Sequence, residues 1–251
     1  MNLVPAFMQR RVWILSHGWL SELALSLILP VILYVAVVVS LGGLVTVPPE
    51  AKSFPVWAAP GIIFTVVLAS AYFPLFVDLF QNRTLLPFLE SVAGSPNSSL
   101  SIITAVLTSL LPDVIVKGLV AAVIVQLLAG TMFPLVPFLG FLVFSAILGF
   151  LILNLSLSLS LLTRRPFSHL FTAFVLLLFV ILSSGWIIPQ TVFPSAVVPF
   201  FAALPTSLLA QGARDLIFRQ EITFVSWLVP LAVGLVWTLV NGVIFARVNI
   251  R

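Results

Sequence analysis

An all-α polytopic membrane protein with six transmembrane helices is the fold this sequence predicts, on three observations. Hydrophobic residues make up 61% of the 251 residues and charged residues 7%, with a mean hydropathy of +1.28; soluble domains carry about 25% charged residues. The apolar residues gather in six blocks, at about 23–45, 58–80, 104–130, 138–162, 169–188 and 225–246, each long enough to cross a hydrocarbon core of roughly 30 Å as a helix. The arginines stand at the ends of these blocks instead of lining one face, which is a topology signal and not a nucleic-acid footprint. The chain is therefore read as a single transmembrane domain, 1–251, with spans as the useful count.

Ahead of the first block, Val4, Phe7, Met8, Val12, Leu15 and Trp19 recur mostly every three or four residues, the pattern of an amphipathic helix lying in the membrane interface. Arg10-Arg11 before an apolar run raises the question of a secretory signal, but the run is too long for a signal core and no small-x-small cleavage pattern follows. A retained first span is expected, with Pro30 as a kink. Pro48, Pro49, Glu50 and Lys52 form a short far-side loop. The second span opens with Pro60-Gly61 and holds Pro74, and the third is interrupted by Pro112, Asp113 and Lys117, so its helix is expected to begin near Ser99. Thr131 to Pro137 is a turn, the fourth span follows, and Arg164-Arg165-Pro166 ends it. Between the fifth and sixth spans, Pro189 to Gln220 is apolar yet broken by Pro194, Pro199 and Pro205.

On this arrangement Arg10, Arg11, Arg83, Arg164, Arg165, Arg247 and Arg251 share one side, and Lys52, Arg214 and Arg219 the other. The positive-inside rule then places both termini in the cytoplasm, in a cell (plasma or inner) membrane. Trp57, Trp186 and Trp227 fall at expected outer boundaries and Trp19 at an inner one, as an aromatic belt requires; Trp237 does not fit and reads as a packing residue. The alternation from Asn154 to Ser160 has a strand's period, but inside an apolar block it must be helical to satisfy its backbone.

Catalytic chemistry is not written in the sequence. The seven acids are spread along the chain, without HExxH or GxSxG. Lys52 and Lys117 lack the glycine loop and following Ser or Thr of a Walker A motif, so the chain is not expected to hydrolyse ATP itself. No cysteine is present and His17 and His169 stand apart, so neither a metal nor a bound cofactor is expected. One titratable pair lies inside a span. Asp113 and Lys117 are four residues apart, acid first, and either neutralise each other on one helix face or serve transport as intramembrane ionisable groups.

The one long polar interruption bearing both an acid and a base runs from Asp78 to Ser101. Within it Leu85, Leu86, Phe88, Leu89 and Val92 form an apolar patch beside Arg83, Glu90 and Ser91, and Ser95-Pro96 ends it. This is the pattern of a short surface helix that touches another protein, or of a merely amphipathic interfacial loop.

Three segments resemble the permease subunits of ABC-2-type ABC exporters: Ala59-Pro60-Gly61-Ile62; Phe88-Leu89-Glu90-Ser91-Val92-Ala93-Gly94-Ser95-Pro96; and the series Ser184-Gly185, Pro189, Phe193-Pro194, Pro199, Leu204-Pro205, Arg214. With the span order and the N-terminal helix, the resemblance covers nearly the whole chain. The sequence departs from the family's pattern at Ser91, where Arg is usual, at Gly94, and at the Leu before Pro205.

The resemblance implies an exporter moving an amphipathic, lipid-like or drug-like substrate, energised by a separate ATPase subunit that carries ATP and Mg. Phe88, Leu89, Glu90, Ser91 and Val92 would form the coupling helix, with Glu90 pairing to a basic group on that partner. Pro189, Pro194, Pro199, Pro205 and Arg214 would belong to short re-entrant helices closing the outer end of a path between two permease copies, identical or related. Membrane lipids are the remaining partners and nucleic acid is not one. The rival expectation is an ion-gradient carrier using Asp113, Lys117 and Asp78.

Overall fold

The computed structural model describes residues 3–43, 45, 53–78, 97–163 and 165–249. Over these residues the chain is all-helical, and six helices are long and apolar enough to cross a membrane. In order, the elements are α1 (Leu3–His17), α2 (Trp19–Leu41), α3 (Phe54–Phe76), α4 (Ser99–Ala129), α5 (Leu135–Leu162) and α6 (Pro166–Ser183). After a 3₁₀ turn (Gln190–Val192) come α7 (Val198–Ala202), α8 (Pro205–Arg214), a π turn (Asp215–Arg219) and α9 (Phe224–Asn249).

Local chemistry sets the helix ends, and it moves them from where hydropathy alone puts them. The first two spans begin about four residues earlier than expected. α2 starts directly after Gly18 and stops at Gly42, while α3 starts with Pro55 in its first turn after an extended Ser53, a position where the missing N–H of proline costs nothing. α4 begins at Ser99, where the Ser98 hydroxyl accepts the Ser101 N–H at 3.2 Å, a side-chain N-cap. It ends at Gly130, whose φ of 63° is the left-handed cap that glycine adopts without strain. α6 stops at Ser183, short of 188, because Gly185 turns the chain with φ 69°.

The core is built around α3. Every residue from Trp57 to Leu68 is buried, with α2, α4, α5 and α8 packed against the helix. α9 closes the other side of α4 and α5. By contrast α2 buries only Pro30 and Val37, and α6 only His169, Ala173 and Ser183; their apolar faces point outward.

α1 packs along α4, and its buried stripe is Leu3, Phe7 and Arg11, at i, i+4 and i+8. This protein-packed stripe differs from the apolar face read from the sequence: Val12 is 65% exposed, and an arginine stands in the stripe.

A buried polar seam joins α5 to α9. The Ser158 hydroxyl donates to Asn241 Oδ1 at 2.6 Å and accepts from Trp237 Nε1 at 2.8 Å. Asn241 Nδ2 donates to the Asn154 carbonyl at 3.0 Å, and Thr238 donates to Asn154 Oδ1 at 3.1 Å. Such bonds hold helices together where lipid tails compete equally for apolar surface. Trp237, the tryptophan with no place in a belt, has its partner here.

Candidate functional site

Two constellations of charged and bent elements stand out, towards opposite ends of α3. The first gathers on the segment between α6 and α9. Four prolines shape it. The Pro189 carbonyl accepts Val192 N–H at 3.1 Å and the Pro194 carbonyl accepts Val197 N–H at 3.0 Å, each closing a turn. Pro199 and Pro205 lie in the first turns of α7 and α8, where proline's fixed φ favours the helix start. Side chains staple the segment to the end of α6: Ser184 donates to Thr206 Oγ1 at 2.6 Å, and Gln190 Nε2 donates to the Ser183 carbonyl at 2.9 Å.

Arg214, at the end of α8, reaches back to this bend. Its Nη1 donates to the Gly185 carbonyl and its Nη2 to the Trp186 carbonyl, both at 2.6 Å. The guanidinium carbon stands 4.2 Å from the centroid of the Trp57 ring, within cation–π range. A planar fork bonding two successive carbonyls while stacking on an indole is a task for arginine and not lysine.

Burial pulls the Arg214 pKa down to about 10, with the neighbouring Asp215 carboxylate opposing the shift, so the group is charged at neutral pH. Asp215 is itself raised, first by burial; Arg219 and Arg214 oppose that shift and Glu221 adds to it.

The Trp186 carbonyl also decides the identity of residue 61. A Cβ on Gly61 would lie 2.0 Å from that oxygen, so only glycine lets the bend lie on α3. Trp186 itself is fully buried, edge-on to Phe64 with ring centroids 5.6 Å apart, and Trp57 is 4% exposed. The aromatic-belt assignment of these two tryptophans is thereby corrected: both pack inside the protein, Trp57 under the Arg214 guanidinium and Trp186 against Phe64. Pro60-Gly61, Ser184-Gly185, Pro189, Pro205 and Arg214, scattered over more than half of the sequence, belong to one joint.

The second constellation collects ionised groups from α1, α2 and α4. Lys117 Nζ donates to Asp113 Oδ2 at 3.1 Å and to Glu22 Oε2 at 2.5 Å. Arg11 Nη2 donates to the same Asp113 oxygen at 2.6 Å. Nearby, Arg10 Nη1 lies 3.2 Å from Asp78 Oδ2 and ties α1 to the end of α3. Three cations thus meet three carboxylates, with the side chains of Arg11, Asp113 and Lys117 all less than a tenth exposed. Asp113 and Lys117 are adjacent, as their spacing suggests, but each has a further partner that spacing does not reveal. Arg11 and Glu22 come from 102 and 95 residues away. Arg11, read from the sequence as a simple positive-inside anchor, is a buried member of this cluster.

The Phe88–Val92 patch with Glu90 lies outside the described residues. Among the described residues, no group of three or more His, Asp or Glu side chains is placed to hold a metal ion. Compared with protein-family models, curated proteins and solved structures, the chain matches none.

Proposed function

We propose that this chain is the permease subunit of an ATP-driven exporter of the ABC-2 type, moving an amphipathic, lipid-like or drug-like substrate out of the cytoplasm. The observation that carries the reading is the joint at Gly61. Landmarks from two of the three resembling segments, the one at Pro60-Gly61 and the one from Ser184 to Arg214, meet there through one glycine, two carbonyls and one arginine. A resemblance arising by chance in composition would not require its residues to touch.

In this reading α7 and α8 are the short re-entrant helices, dipping into the outer leaflet and returning. The bend before them has its Gly185 and Trp186 carbonyls bonded by Arg214 and its Pro194 carbonyl by Val197 N–H, in keeping with the need of bent backbone at membrane depth for protein partners. α1 is the interfacial helix at the cytoplasmic side, and both termini are cytoplasmic. The outward-facing apolar surfaces of α2 and α6 meet lipid and a second permease copy. The 88–92 segment engages a separate ATPase, whose nucleotide cycle biases the permease between inward- and outward-facing states; ATP and Mg reside on that partner.

The gradient-driven alternative rests on Asp113 and Lys117. Their mutual neutralisation with Arg11 and Glu22 favours a role in holding helices together. Energisation tests the choice. Inside-out vesicles carrying the chain and its co-expressed partners should accumulate a fluorescent amphiphile on addition of ATP, and not with an imposed ion gradient alone. Uptake driven by the gradient without ATP would overturn the proposal.

A further inference from the structure

Behind α2 the described residues enclose a cavity of about 410 Å³, within the range of small-molecule sites. Its body is apolar, walled by Leu25 and Leu29 of α2 and by Val66, Ala69 and Phe73 of α3. One end is charged, with Arg11, Glu22, Asp78 and Lys117. The placement follows the membrane. Glu22 is in the first turn of α2 and Asp78 lies just past the end of α3, so the charged end is at the ends of the spans. Leu25 to Leu29, and Phe73 back to Val66, lead from there towards the middle of both helices. Leu25 and Phe73 are 49% and 48% exposed, which puts a mouth between α2 and α3 on the outward surface of the bundle.

Two features define what fits. The charged wall sets the cations Arg11 and Lys117 beside the carboxylates of Glu22 and Asp78, so a lone anion would meet repulsion from the carboxylates where a headgroup bearing both signs would find a partner for each. The apolar body asks for a hydrocarbon chain on the same molecule. A free phosphate would leave the apolar body filled with water, which an apolar cavity resists.

We propose that this cavity binds a zwitterionic phospholipid of the phosphatidylethanolamine type. One acyl chain lies between α2 and α3, the phosphate faces Arg11 and Lys117, and the ammonium faces Glu22 and Asp78. The second chain stays in the bilayer. The site stands independently of the permease reading.

Native mass spectrometry of the purified full chain, titrated with phosphatidylethanolamine or phosphatidylglycerol, tests it. One phosphatidylethanolamine should bind at least about tenfold more tightly than phosphatidylglycerol. Ala69→Phe, which fills the cavity, and Leu25→Trp, which blocks its mouth from a half-exposed position, should each weaken that binding by about tenfold or more. If Ala69→Phe does not fold, Leu25→Trp decides alone. Unchanged phosphatidylethanolamine affinity in Leu25→Trp, or equal affinity for the two lipids, would overturn the site. So would competition by soluble glycerophosphoethanolamine as effective as that by the whole lipid, since the acyl chain would then contribute nothing.

Discussion

Arg214 and Arg11 are both arginines held within a membrane bundle, and they are kept there in opposite ways. Arg214 is held by two backbone carbonyls and a ring face, whereas Arg11 is held by a carboxylate shared with Lys117. Gly61, under the bend that Arg214 holds, and Asp78, bonded by the neighbouring Arg10, are about 25 Å apart along the chain of α3 at 1.5 Å per residue. Backbone dipoles satisfy a cation only when the chain is bent into one shape, so Arg214 fixes a conformation. Counter-ions satisfy a cation wherever helices bring them together, so Arg11 fixes a neighbourhood of helices. The first arrangement cannot be replaced by apolar residues without freeing two carbonyls; the second, in principle, can.

The largest effect should come from the joint. Gly61→Val places side-chain carbon within 2.0 Å of a main-chain oxygen, and overpacking there should cost about 3 kcal/mol or more. A collapse in monodisperse yield on fluorescence-detected size exclusion checks this, and wild-type yield would show that the bend is free to shift. Next, Asp113→Asn leaves Arg11 and Lys117 short of a counter-charge and should cost about 3 kcal/mol. The concerted replacement Arg11→Met with Asp113→Leu, Lys117→Met and Glu22→Gln, which also relieves the carboxylate that Lys117 holds, should recover most of that melting temperature. Failure of the quadruple variant to recover would place the two arginines in the same class and break the contrast.

Arg214→Lys keeps the charge but loses the fork and the stacking; with charge-assisted bonds worth about 1.5–3 kcal/mol, a loss of about 2 kcal/mol is expected. A lysine variant melting like wild type would mean that charge alone suffices there. The smallest effect should be that of Trp57→Phe, which keeps a ring face of weaker quadrupole beneath the guanidinium, at about 1 kcal/mol.

These contrasts also show what the sequence made legible. Six spans follow from apolar block length, because a helix in lipid needs that length and little else. Their ends do not, since the Ser98 cap, Pro55 in a first turn and the left-handed Gly185 decide them through local geometry that hydropathy ignores. The Asp113–Lys117 contact is local and readable from spacing. Arg11 and Glu22 reach it through helix packing across about a hundred residues, for which a single sequence carries no signal. Trp57 and Trp186 are hard to place for a related reason: a tryptophan near a span end is equally compatible with a belt and with a core, and only the packing decides, Trp57 under the Arg214 guanidinium and Trp186 against Phe64. Arg214's own partners are carbonyls, which every residue possesses, so no side-chain pattern announces them. The Asn154–Asn241 seam had one available sign, asparagines set inside two apolar blocks.

The most direct test of the permease assignment is affinity purification of the tagged chain from its native membrane in mild detergent, with mass spectrometry of what accompanies it. The account predicts a stoichiometric partner carrying a GxxxxGK[ST] phosphate loop, lost in Glu90→Arg while the melting temperature of the chain is unchanged. Reproducible absence of any such subunit, under conditions that preserve a control complex, would contradict it.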